Sequence, residues 1–126
     1  MRLGSGAFEG NYSFASRMEN GPGTNPEELI GAAEAGCFSM AFANALSQAG
    51  HEPQEIRTSA NVHFDRSDKG WAITRVELST EGIVPGVDDA TFKRIAEDAK
   101  QNCPVSKALA GSQISLTATA SSSCRC

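Results

Sequence analysis

Four cysteines, at positions 37, 103, 124 and 126, are the side chains of this sequence best suited to chemistry. A structural zinc site needs paired ligands a few residues apart on tight turns. Here no C-x-x-C occurs, and the two histidines, His51 and His63, stand in no ligand spacing with the cysteines. A phosphatase-type loop needs an arginine shortly after its cysteine, and neither Cys37 nor Cys103 has one. A disulfide scaffold belongs to small exported domains, and the opening MRLGSGAFEG lacks the apolar stretch of an export signal. Thiol redox chemistry remains. Cys103 directly precedes Pro104 at a helix start, where first-turn amides and the helix dipole favour a thiolate, although the residue could equally be a plain cap. Cys37 lies in a run of small and apolar residues, and there a free cysteine is often simply a small buried hydrophobe. Together they suggest a pair distant in sequence, one per helix, able to make and release a disulfide.

Ahead of Cys37 in the chain, the charged residues of interest are Arg17, Glu27 and Glu28. Arg17 is the only basic residue between Arg2 and Arg57, and by default a solvated charge. Glu27 and Glu28 fall in the first turn of a helix, where acidic side chains relieve the dipole.

These residues must be positioned by one domain, since 126 residues is an ordinary single-domain length. With 40% hydrophobic and 21% charged residues the chain is globular in composition. A net charge of −4 disfavours a nucleic-acid partner, which calls for clustered positive charge. No apolar run approaches the roughly 20 residues of a membrane span, so a membrane role is set aside. The reading is a domain over residues 1–120 and a low-complexity, mobile tail over 121–126 that carries Cys124 and Cys126.

Residues 1–24, rich in Gly, Ser and Asn, read as irregular backbone with a short strand near Ala7 and Phe8. Residues 25–49 read as a long helix: Asn25 caps it, Pro26 suits its first position, Glu28 completes a capping box, and Gly50 ends it. Being apolar on most of its circumference, it should be buried on most sides. Strands are expected at 56–64, where Ile56, Thr58, Ala60, Val62 and Phe64 share a face, and at 71–80 after a Ser67-Asp68-Lys69-Gly70 turn. A second helix over 88–101, capped by Asp89, buries Phe92, Ile95, Ala96 and Ala99. A short helix over 104–110 and a strand over 113–120 complete the chain. The class is α+β with a mainly antiparallel sheet around the long helix.

The blocks GTNPEELIGAAEAGCFSMAFANAL and NCPVSKAL together resemble the osmotically inducible protein C (OsmC) family and its organic hydroperoxide resistance (Ohr) relatives, closest to the OsmC branch. GWAITRVEL and VPGVDDATF fall where that family has a strand and the approach to its second helix. The resemblance implies an intertwined homodimer and a thiol-dependent peroxidase reducing organic hydroperoxides to alcohols in oxidative or osmotic stress defence. It places the peroxidatic cysteine on Cys37, the resolving cysteine on Cys103, a thiolate-activating arginine on Arg17 and its orienting glutamate on Glu27. It implies no metal or prosthetic group and an external dithiol or lipoyl-type reductant; with no export signal in view and reducing equivalents required, the cytoplasm is the expected setting. Two departures accompany it: the resemblance places the family's first N-terminal strand region ahead of Met1, whether the start is short or trimmed, and Cys124-x-Cys126 is additional. Two other readings stay open: a redox sensor that passes its disulfide to a partner protein, and a ligand-binding domain that has lost catalysis.

Overall fold

The computed structural model describes residues 1–121; of the expected tail, Ser121 belongs to the last strand, and residues 122–126, with Cys124 and Cys126, lie outside the described residues. In chain order the elements are α1 (Phe14–Met18), α2 (Pro26–Gln48), β1 (Glu55–Ser67), β2 (Gly70–Ile83), α3 (Asp89–Asn102), α4 (Pro104–Ala108) and β3 (Gln113–Ser121).

Local signals set most of these boundaries. Asn25 caps α2, its side chain accepting the Glu28 amide at 2.7 Å. The reciprocal half of the expected capping box is replaced: Glu28 instead accepts the Thr24 hydroxyl at 2.6 Å. At the far end Gly50 has φ +88°, and the bonds His51 N–H to Leu46 O and Gly50 N–H to Ser47 O form a Schellman motif. Asp88 rather than Asp89 caps α3. Its side chain accepts from Thr91, and the hydrogen bonds from that threonine hold its carboxyl below the usual range.

The N-terminal segment differs from expectation. Ala7 and Phe8 form no strand; an isolated bridge joins Arg2 to Glu9 instead. Residues 14–18 close into the single-turn helix α1, because the Ser13 and Ser16 side chains each accept the other's backbone amide, at 3.0 and 2.8 Å. Ser13-x-x-Ser16 was the available signal, a capping box with serine in place of the usual Glu or Gln.

β1 and β2 form a long antiparallel hairpin, and β3 lies against β2 in parallel, giving a mixed sheet in the order β1-β2-β3. The parallel return is made possible by α3 and α4, which carry the chain back across the sheet. Thr74 is the extra residue of a bulge in β2 opposite His63 and Phe64. Behind the sheet the core gathers Phe38, Phe42 and Leu46 from α2, Leu78 and Val84 from β2 and its exit, and Phe92, Ile95, Ala96 and Ala99 from α3. Phe42 meets Phe92 edge-on at 5.0 Å between centroids.

Gly82 is required by this packing. A Cβ there would lie 2.9 Å from Phe92 Cε2 and 3.0 Å from Ile56 Cδ1. Gly82→Ala is therefore expected to destabilise the fold by about 1–3 kcal/mol, the usual cost of overpacking. It should appear as a lower urea midpoint with unchanged slope.

α2 sits at the centre, but one chain buries only a stripe of it: Glu27, Gly31, Glu34, Phe38, Phe42 and Leu46. Gly31 lets the helix approach β1, since a Cβ there would stand 3.3 Å from the Ala60 carbonyl oxygen. The expectation of burial on most sides is thus corrected. Ala32, Ala33 and Gly36 are exposed, as is Met40 at 77%. By length and composition α2 is also apolar enough to cross a membrane, a property the sequence reading did not assign to it. Its buried stripe is used against the protein's own sheet and helices.

Candidate active site

Cys37 lies in the middle of α2, half-buried, and Cys103 is fully buried at the start of α4. The fold brings these two thiols together: Cys103 Sγ donates to Cys37 Sγ at 2.8 Å. Both are free thiols, and the separation exceeds the roughly 2.05 Å of a disulfide. Three features make the contact. The Asn102-Cys103-Pro104 break ends α3 and starts α4, because Pro104 fills a first helical position where no amide is needed. Cys103 N–H still bonds to Ala99 O at 3.0 Å, so the residue is held to the end of α3. Phe38 and Phe42, beside Cys37 on α2, anchor that helix in the core.

The expectation that first-turn amides of α4 would serve the Cys103 sulfur is corrected. Cys103 makes no side-chain cap hydrogen bond; the Val105 N–H acts on Cys37 instead. Burial nevertheless pushes the Cys37 thiol up from its ordinary value. The hydrogen bond with Cys103 and the negative charge of Glu34 push the same way, and the Val105 amide alone opposes them. Arg17 is not among the groups acting on Cys37 within one chain.

Arg17 and Glu27 form a second pair. Glu27 is buried on the first turn of α2, and the guanidinium of Arg17, on α1, donates to its Oε1 through Nε at 3.0 Å and Nη2 at 2.6 Å. Both donors meet one carboxylate oxygen, Oε1. The guanidinium also lies over the Phe64 ring, 4.4 Å from its centroid, and Trp71 stacks on that ring at 4.9 Å. Arg17 is thus held from two directions with its side chain still 40% exposed.

The two pairs are not joined within the chain. Glu27 and Cys37, ten positions apart on one helix, are about 15 Å apart along its axis. Phe38 and Phe42 are core residues, whereas Met40 and Phe14 are largely exposed, at 77% and 72%. Among the described residues no three His, Cys, Asp or Glu side chains are gathered as a metal site.

Sequence reasoning missed Glu34. It is completely buried on α2, and its Oε1 accepts the Ser106 hydroxyl at 2.5 Å while Oε2 has no partner among the described residues. A lone acid between alanines reads as a solvated charge. The available signal was its place one turn before Cys37, on the same helix face.

In keeping with this fold and this pair of neighbouring cysteines, residues 19–119 match the OsmC-like protein family. The chain belongs to this family. It is 52% identical over 98 residues to the peroxiredoxin OsmC of Escherichia coli, covering 78% of this chain and 68% of that protein. It is 36% identical over 92 residues to an organic hydroperoxide resistance protein of Xanthomonas axonopodis pv. citri, covering 72% of this chain and 63% of the relative. Among solved structures, an organic hydroperoxide resistance protein from Elizabethkingia anophelis superposes with a TM-score of 0.76 at 26% identity, over 97% of this chain and 86% of that one.

Proposed function

We propose that this protein is a cysteine-based peroxidase that reduces organic hydroperoxides to alcohols in oxidative or osmotic stress defence. The observation that carries the reading is the meeting of Cys37 and Cys103 at 2.8 Å across 66 residues of sequence. The names of the relatives, a peroxiredoxin and a hydroperoxide resistance protein, support it.

Cys37 thiolate attacks the distal peroxide oxygen. The O–O bond breaks, the alkoxide leaves and takes up a proton as alcohol, and Cys37 becomes a sulfenic acid. Cys103 then attacks that sulfur to give a disulfide and water. An external dithiol, of lipoyl or similar type, restores both thiols by exchange. The cycle uses sulfur alone, without metal or prosthetic group, and its need for reducing equivalents suits the cytoplasm. It calls for neither nucleic acid nor a membrane.

The nucleophile must ionise near neutral pH, yet the single chain pushes the Cys37 thiol up. A cation that cannot lose its charge is the remedy, and Arg17, oriented by Glu27, is the candidate. Because about 15 Å of helix separates Glu27 from Cys37, the pair serves the Cys37 of a second protomer in a homodimer. The open face of α2 at Ala32, Ala33, Gly36 and Met40 supports such an assembly. So does the neighbouring apolar groove of about 670 Å³ between Leu3, Phe8, Leu29 and Ala32.

The test is consumption of cumene hydroperoxide and of hydrogen peroxide by the purified protein with excess dithiothreitol. Sustained turnover is expected, with a preference of roughly tenfold or more for the organic peroxide, the scale on which apolar contacts discriminate. A Cys37–Cys103 disulfide that forms without appreciable turnover would overturn the peroxidase reading in favour of a redox sensor.

A further inference from the structure

Glu34 is the group of this site that the proposed cycle leaves without a role. It is fully buried, and one carboxyl oxygen has no partner among the described residues. An unpaired buried acceptor costs stability, and an apolar side chain of similar volume would fill the space without that cost. Residues that lower stability in a well-packed interior are expected where function needs them.

The geometry around Glu34 indicates what that need is. On α2, Glu34 and Cys37 are three positions apart on one face; on α4 and its cap, Ser106 and Cys103 are three positions apart. The two sets meet as paired rungs in opposite sense, Cys37 with Cys103 at 2.8 Å and Glu34 with Ser106 at 2.5 Å. α4 has only five residues, too few to persist alone, so its position depends on what it touches. Besides Cys103, it sends the Val105 amide to Cys37.

We propose that Glu34 and Ser106 form a buried clamp that docks α4 on α2 and so sets the rate at which Cys103 resolves oxidised Cys37. Both are positioning residues, and the inference rests on the assignment of Cys37 as peroxidatic and Cys103 as resolving. In the resolving step the S–O bond of the Cys37 sulfenic acid breaks and the S–S bond forms. The hydroxyl leaves with the Cys103 proton as water, and the oxidising equivalents are those already taken from the hydroperoxide. This step depends steeply on approach geometry, because a displacement of about 1 Å can cost an intramolecular reaction on the order of 100-fold. The first step, attack on a free substrate, does not need Cys103 in place.

The experiment separates the two steps. Reduced protein is mixed with one equivalent of cumene hydroperoxide. Peroxide loss reports the first step; dimedone trapping at Cys37 and peptide mapping of the Cys37–Cys103 bridge report the second. Ser106→Ala and Glu34→Leu are expected to close the disulfide roughly tenfold or more slowly relative to their own peroxide loss, which itself shifts as the Val105 amide leaves Cys37 in both and the Glu34 charge is lost in the second. Both should give a Cys37–dimedone adduct that the unaltered protein does not accumulate. Glu34→Gln, which keeps an oxygen for the Ser106 hydroxyl, is expected to close at the original rate. Ser106→Ala or Glu34→Leu closing the bridge at the original rate would overturn the clamp while leaving the peroxidase reading intact. Absence of peroxide loss in the unaltered protein would instead overturn that reading. In that event closure of the same bridge by diamide still decides the clamp, slow closure in Ser106→Ala upholding it and unchanged closure sinking it.

Discussion

Cys37→Ser is expected to reduce hydroperoxide consumption to the background of dithiol alone while leaving the fold intact. Serine fills nearly the same volume at this half-buried position, so the urea midpoint should move little. What disappears is the nucleophile, since a hydroxyl ionises far outside the range in which a thiol does and cannot form the sulfenic acid. Cys103→Ser should behave differently. It retains the attacking thiol, so the first equivalent of peroxide is consumed and a sulfenic acid persists at Cys37, open to dimedone and to further oxidation. Coupled peroxide assays with dimedone labelling check both variants. Equal turnover by Cys37→Ser and the unaltered protein would remove Cys37 from the chemistry.

Arg17→Ala is expected to lower kcat/KM for cumene hydroperoxide by about 10²–10³-fold at neutral pH, the usual cost of losing one oriented electrostatic donor. In the proposed cycle only the thiolate attacks and Arg17 of the second protomer favours it, so removing Arg17 should leave Cys37 with the raised pKa that burial imposes. The pH–rate profile should shift to higher pH, with the deficit shrinking as alkaline conditions ionise the thiol without help. Glu27→Gln should cost less, because the Phe64 ring still holds the guanidinium at 4.4 Å. Mixing subunits tests where Arg17 acts. Arg17→Ala and Cys37→Ser homodimers are each expected to be deficient, whereas mixed dimers regain activity through the one site with Cys37 on one protomer and Arg17 on the other. Mixed dimers as deficient as their parents would contradict action across the interface.

The parts of the fold legible in the sequence are those specified within a few residues. Asn25, Pro26 and Gly50 bound α2 because caps act through adjacent amides and carbonyls, and the Phe92, Ile95, Ala96, Ala99 stripe marks the buried side of α3. α1 escaped notice because one turn closed by two serines barely differs in composition from the loop around it. The direction of β3 was not legible, since alternating Ile114, Leu116 and Ala118 suit parallel and antiparallel neighbours equally. α2 shows how far composition reaches: its apolar circumference was read as burial, yet Ala32, Gly36 and Met40 lie open in the single chain.

The site divides along the same line. Cys37 and Cys103 stood out by residue type and by their helical settings, while the meeting of their sulfurs depends on the break at Pro104 and the packing of α4. Arg17 and Glu27 meet because α1 forms and Asn25 turns the chain into α2, contacts that no periodicity encodes. Glu34 was invisible because its carboxyl is buried by the arrival of α4, seventy-two positions later in the chain at Ser106.

The central claim, that Cys37 and Cys103 form one redox-active pair, is tested most directly by mapping the thiols after a single equivalent of cumene hydroperoxide in the absence of reductant. The expected result is one equivalent of alcohol and a Cys37–Cys103 disulfide, with Cys124 and Cys126 remaining free thiols. Alcohol formation without that bridge, or a bridge confined to Cys124 and Cys126 with Cys37 still a thiol, would contradict it.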